Sequence, residues 1–71
     1  MDPNANLREQ GECLNALVML SGESVIDWRK RVRHDARRLS DLRQALYDWI
    51  RNGGFDPDWA LQPFASKYYG R

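Results

Sequence analysis

Counted in sevens from Val25, apolar residues return along the middle of the chain. Val25, Val32, Leu39 and Leu46 fall at one position of the repeat and Trp28, Leu42 and Trp49 at a second, with Ala36, Ala45 and Ile50 alongside. This spacing predicts an amphipathic helix over about residues 25–52, packed lengthwise on another helix. One charged residue, Asp35, interrupts the seam; it snorkels, or pairs with Arg31 or Arg38 one turn away. The alternative reading places a joint near residues 34–41, with Asp35 or Ser40 capping a separate helix.

Ahead of this stripe, Leu7, Leu14, Leu17 and Val18 recur at helical spacing. Asp2 followed by Pro3 supplies a side-chain acceptor for free amides and a residue preset for the first turn, so helix one is expected over about residues 3–20. Asn4 is a rival cap. Gly11 lies inside this helix, where glycine costs about 1 kcal/mol relative to alanine; it marks a close approach or a weak spot. Gly22 breaks the pattern, and Ser24 with Asp27 resembles a capping box. Arg51 followed by Gly53 and Gly54 ends the long helix, either glycine being able to take the left-handed cap.

The tail, residues 53–71, has five aromatics within fifteen positions: Phe55, Trp59, Phe64, Tyr68 and Tyr69. Asp56-Pro57 repeats the cap-then-proline start, so a helical turn carrying Trp59 and Leu61 is expected before Pro63 stops it. The aromatics are expected to fold back over the open side of the helix pair. No segment alternates with the two-residue period of a strand. The expected fold is all-α: an antiparallel helical hairpin or small three-helix bundle with an aromatic C-terminal tail packed on it, as a single domain over residues 1–71.

Composition sharpens this picture. A chain of 71 residues buries only about 60–65% of its unfolded surface, so its core is thin. The lone cysteine, Cys13, forms no internal disulfide and reads as a small buried apolar residue in a reducing compartment, which points to the cytoplasm. Residues 14–20 are too short an apolar run to span a bilayer, and the polar start lacks the pattern of a secretory signal. No membrane association is expected.

Net charge is +1 but unevenly placed. Residues 1–23 set Asp2, Glu9, Glu12 and Glu23 against Arg8, giving −3, whereas residues 24–52 set eight Arg or Lys against four Asp, giving +4. The acidic first third and the basic middle are expected to pair with each other. On a helical wheel Arg29, Arg33 and Arg37 line the side opposite the stripe, with Lys30 beside them. Such a ridge fits phosphates. A solvated or protein-facing helix face fits it better, with Asp27–Arg31, Arg38–Asp41 and Asp48–Arg51 as neighbouring pairs. Zinc-finger spacing and a glycine-rich phosphate loop are both lacking.

Catalysis finds little support. His34 is the only histidine, and Asp35 beside it points to a different helical face. No serine sits in a nucleophile setting, and one His and one Cys do not make a metal site. No enzyme activity, cofactor or metal is expected.

Two pieces, "DPNANLREQ" and "LSDLRQALYDWIRNGGFDPDW", resemble a group of short uncharacterised bacterial and phage proteins. Those share an Asp-Pro-Asn start, a helix ending in an "AL..W" turn and a "GGF.P..W" close. The resemblance covers nearly two fifths of the chain and brings no catalytic or binding residues with it. The basic stretch and the residues after Trp59 depart from that pattern.

The function expected from the sequence is a small non-enzymatic module, a phage or bacterial regulator or inhibitor that binds another protein. Trp, Tyr and Arg are enriched at binding hot spots, and here the candidates are Trp28, Arg29, Arg33, Trp59, Tyr68 and Tyr69. One alternative is a nucleic-acid-binding accessory protein using Arg29, Lys30, Arg33, Arg37 and Arg38. Another is a structural homodimer that pairs the stripe of residues 25–49 with its own copy.

Overall fold

Asp2 wins the start of the first helix. Its carboxylate accepts the amides of Asn4 (3.0 Å) and Ala5 (3.1 Å), with Pro3 in the first turn, while Asn4 turns away to accept the amide of Asp58 at 2.7 Å. The computed structural model describes residues 1–70. It contains α1 (Pro3–Ala16), α2 (Val25–Arg51), a 3₁₀ turn (Trp59–Leu61) and α3 (Pro63–Tyr69), and no strand among those residues. The fold is a small all-α arrangement with an aromatic C-terminal cluster.

The second helix is continuous through residues 34–41. Ser24 caps it by accepting the amide of Asp27 (3.1 Å); Asp27 is too short to return the bond that Glu would make in a full capping box. At the far end Gly53 takes the left-handed conformation (φ 90°). The amide of Gly54 donates to Trp49 and that of Gly53 to Ile50, so the last carbonyls are satisfied by a Schellman motif.

Length decides the layout. At about 1.5 Å per residue, α2 is about 40 Å long and α1 about 21 Å, and the molecule measures 43 × 19 × 18 Å. α1 runs antiparallel to α2: Asn6 meets Leu42, Glu9 meets Arg38, and Ala16 meets Arg31. It covers the middle of the long apolar flank, and the tail covers its C-terminal end. Two buried clusters result. Cys13, Leu39 and Leu42 pack with Leu14 and Leu17. Leu7, Leu46 and Ala65 pack with Trp49, Ile50, Trp59, Phe64 and Tyr69. Fully buried leucines such as Leu7 and Leu46 each contribute about 1.5–3 kcal/mol.

Four expectations from the sequence are corrected. α1 stops at Ala16, not near residue 20, because the carbonyls that would continue it are taken. The Trp28 indole donates to Leu17 (2.7 Å), and Arg31 donates to Ala16 (3.1 Å) and Val18 (2.8 Å). The expected turn at Trp59–Leu61 does end before Pro63, but Pro63 then opens a further helix that was not expected, its fixed φ suiting the first turn. The 3₁₀ turn is capped by Asp58, not Asp56. Val25, the first member of the stripe, lies beyond the reach of α1 and is 54% exposed. With Val18, Met19, Leu20 and Ile26, it leaves the hairpin tip apolar and open to solvent.

The tail folds back as expected through Trp59, Phe64 and Tyr69, whereas Phe55 and Tyr68 stay exposed. A buried chain of polar bonds ties it down. The Tyr69 hydroxyl donates to Gln10 Oε1 (2.9 Å), Gln10 Nε2 donates to Asn6 Oδ1 (2.7 Å), and Asn6 Nδ2 donates to the carbonyl of Leu42 (3.0 Å). Two of the three bonds run between helices, α3 to α1 and α1 to α2. Gly11 marks a close approach, since a Cβ there would collide with the side chain of Gln62.

Candidate functional site

α2 has two usable flanks beside its buried seam, and they differ in how their charges are spent. On the α1 side Arg38 donates to both carboxylate oxygens of Glu9, the Nη2 bond measuring 2.9 Å. Arg31 grips Glu23 at 2.7 and 2.9 Å, while the amide of Leu20 adds a third bond to that carboxylate (3.1 Å). The guanidinium of Arg38 holds the Glu9 carboxyl below the usual range, and that of Arg31 does the same for Glu23 with help from the Leu20 amide. The acidic first third and the basic middle thus meet as expected. The partners are Glu9 and Glu23, not the Asp27, Asp35 and Asp41 of the same helix.

The opposite flank is open. Trp28, Arg29, Val32, Arg33 and Ala36 line a shallow depression of about 550 Å³. Ala36 also borders a second one, about 600 Å³, where Ser40, Arg43, Gln44 and Tyr47 face Tyr68 and Tyr69 of α3. Together they form one strip along α2. Residues 28 to 47 span about 29 Å at helical rise. Side chains are large at both ends and small in the middle, where Ala36 and Ser40 stand one turn apart.

The lower end of the strip is built by stacking. The Arg43 guanidinium lies 3.9 Å from the Tyr68 ring centroid, a cation–π contact. Tyr68 meets Tyr69 edge-on at 4.9 Å, and Tyr69 leans on Trp59 at 4.9 Å. Arg43 Nε is buried without a hydrogen-bond partner. Burial pushes the Tyr69 hydroxyl above its ordinary pKa.

At the upper end the cations are free. Among the described residues no acidic side chain pairs with Arg29, Lys30, Arg33 or Arg37. Of the six residues expected to bind protein, the structure brings Trp28, Arg29, Arg33 and Tyr68 onto the strip. Tyr69 borders it from behind, and Trp59 is packed deeper, around Leu46 and Ala65. Of the five cations expected to bind nucleic acid, Arg38 is withdrawn by Glu9, while Arg29, Lys30, Arg33 and Arg37 remain exposed.

Sequence reasoning missed Ala36, Ser40, Arg43 and Tyr47 as site residues. Their signal was present: Ala36–Ser40 and Arg43–Tyr47 are both i, i+4 pairs on one helix face. Cys13 is buried, and desolvation raises its thiol pKa. Among the described residues no three His, Cys, Asp or Glu side chains converge on a metal-sized site, and no helix is long and apolar enough to cross a membrane. Comparison with protein-family models, curated proteins and solved structures returned no match.

Proposed function

We propose that the chain is a small, cytoplasmic, non-enzymatic protein-interaction module, a phage or bacterial regulator or inhibitor that works by occupying another protein. One observation carries this reading: the continuous strip from Trp28 to Tyr47, apolar in its floor, with the Arg43–Tyr68 stack at one end and unpaired cations at the other. Aromatic and Arg side chains on a rigid helix are the groups that dominate binding hot spots.

Affinity capture from the source cell tests it, with and without nuclease, using the native chain and an Ala36→Arg variant. Ala36 is exposed, so the variant fills the strip while sparing the core. Capture of a protein that survives nuclease and is lost with Ala36→Arg supports the reading. Capture abolished by nuclease, or indifferent to Ala36→Arg, refutes it.

The free cations favour a second reading, a nucleic-acid-binding accessory protein using Arg29, Lys30, Arg33 and Arg37. Four phosphate contacts require log K to fall with log salt at a slope of about −3 for a single strand and nearer −4 for a duplex. A structural homodimer has less to work with, because Leu39, Leu42 and Leu46 of the stripe are already buried within one chain.

A further inference from the structure

We propose that the strip on α2 seats an acidic amphipathic helix from a partner protein, laid across Ala36 and Ser40 as an added helix. This rests on the protein-docking reading and names the partner's chemistry.

Shape argues for a helix. Helix axes approach to about 8–10 Å only where side chains at the contact are small enough to admit the partner's ridge. Ala36 and Ser40 provide such a saddle, with Trp28 and Arg29 rising at one end and Arg43 and Tyr47 at the other. At about 1.5 Å per residue the 29 Å strip accommodates a helix of up to roughly twenty residues. An apolar floor with polar rims is the surface an amphipathic helix buries.

Charge argues for an acidic one. Arg29, Lys30 and Arg33 rim the upper depression without ion pairs, and Arg43, stacked on Tyr68 at the lower one, has none either. The acid next to this flank, Asp48, already accepts from Gln44 at 3.0 Å. A second copy of this chain is a poor occupant. Strip against strip would set the same cations face to face, and the copy's Glu9 and Glu23 are committed to Arg38 and Arg31. A nucleic acid would satisfy the cations and leave the apolar floor at Ala36 unburied.

The test uses the full chain labelled with ¹⁵N. Two synthetic twenty-residue peptides share one leucine pattern at helical spacing, with Glu on the flanks of one and Lys on the flanks of the other. The expected result is binding of the Glu peptide with shifts at the Val32, Ala36, Ser40 and Gln44 amides. The Lys peptide should bind at least tenfold more weakly. Ala36→Arg should weaken the Glu peptide by a similar factor with unchanged circular dichroism and melting temperature. Four outcomes overturn the proposal: equal binding of both peptides; binding of neither; shifts gathered at the apolar tip of residues 18–26 instead; or displacement of the Glu peptide by an oligodeoxynucleotide at lower concentration than by free Glu peptide. Light scattering that shows a dimer through the strip before any peptide is added overturns it too. If neither peptide binds while capture remains nuclease-resistant and sensitive to Ala36→Arg, the docking reading stands and the acidic helix falls.

Discussion

Replacing Gln10 by Met asks whether the buried chain from Tyr69 to Leu42 holds the tail in place. Met matches the length of Gln and removes both its donor and its acceptor. Two groups lose their partners: Asn6 Oδ1, in a residue only 8% exposed, and the Tyr69 hydroxyl, in a half-buried one. A buried polar group left unsatisfied costs about 1–3 kcal/mol. Tyr69 recovers part of its loss by turning to water, so the expected destabilisation is about 2–4 kcal/mol. A domain of this size has roughly 4–10 kcal/mol in total. Urea unfolding followed by tryptophan fluorescence is the assay. With a slope of about 1 kcal/mol per molar, the midpoint should fall by roughly 2–4 M. Tyr69→Phe alone should cost about 1–2 kcal/mol by stranding Gln10 Oε1. The double variant Gln10→Met/Tyr69→Phe should lose about 1–2 kcal/mol less than the sum of the singles, since the shared bond is lost once. A Gln10→Met midpoint within 0.5 M (about 0.5 kcal/mol) of native, or strictly additive singles, would show that these bonds do not hold the tail.

Other expectations follow from the same contacts. Gly54→Ala places a methyl inside the Trp49 indole, which is held by its bond to the Phe55 carbonyl (2.9 Å); a loss of about 1–3 kcal/mol is expected in thermal unfolding, and a neutral result would show that the ring is not fixed. The Glu9 and Glu23 carboxyls are depressed by Arg38 and Arg31, so their contribution is complete above the ordinary glutamate pKa of about 4.3 and is lost as pH falls through the lowered values. Urea midpoints should therefore fall as the pH is taken below about 4, and a Glu9→Gln/Glu23→Gln variant should show a shallower fall. The Cys13 thiol, buried and raised, should be alkylated by iodoacetamide at pH 8 on the order of 100-fold more slowly than a free cysteine, with the rate rising on addition of urea. Immediate labelling would place Cys13 outside the core.

The long helix was legible because its signal is redundant: seven apolar residues at heptad positions, a Ser cap and a glycine stop all agree. The end of α1 was not, since it is set by Trp28 and Arg31 reaching back eleven to fifteen residues for carbonyls, and hydrophobic periodicity contains no such term. Apolar periodicity says nothing about Asn6 and Gln10; contact with Leu42 of α2 and Tyr69 of α3 makes them buried linkers. Pro63 is ambiguous in principle, because proline both follows helices and opens them. For the site, periodicity identified the apolar side of α2 but not which edge of it α1 would cover. That choice put Arg38 and Arg31 to structural use. It also left Arg29 and Arg33 free and made Ala36 and Ser40 the centre of an open strip.

The most direct test of that strip is photo-crosslinking in the source cell from single positions on α2. A benzophenone side chain at Ser40 lies on the open flank, and one at Ala45, also exposed, lies elsewhere on the same helix. If the strip is a protein-docking surface, Ser40 yields a discrete protein adduct that resists nuclease and Ala45 does not. An adduct of equal yield from both positions, or a Ser40 adduct that nuclease removes, would contradict it.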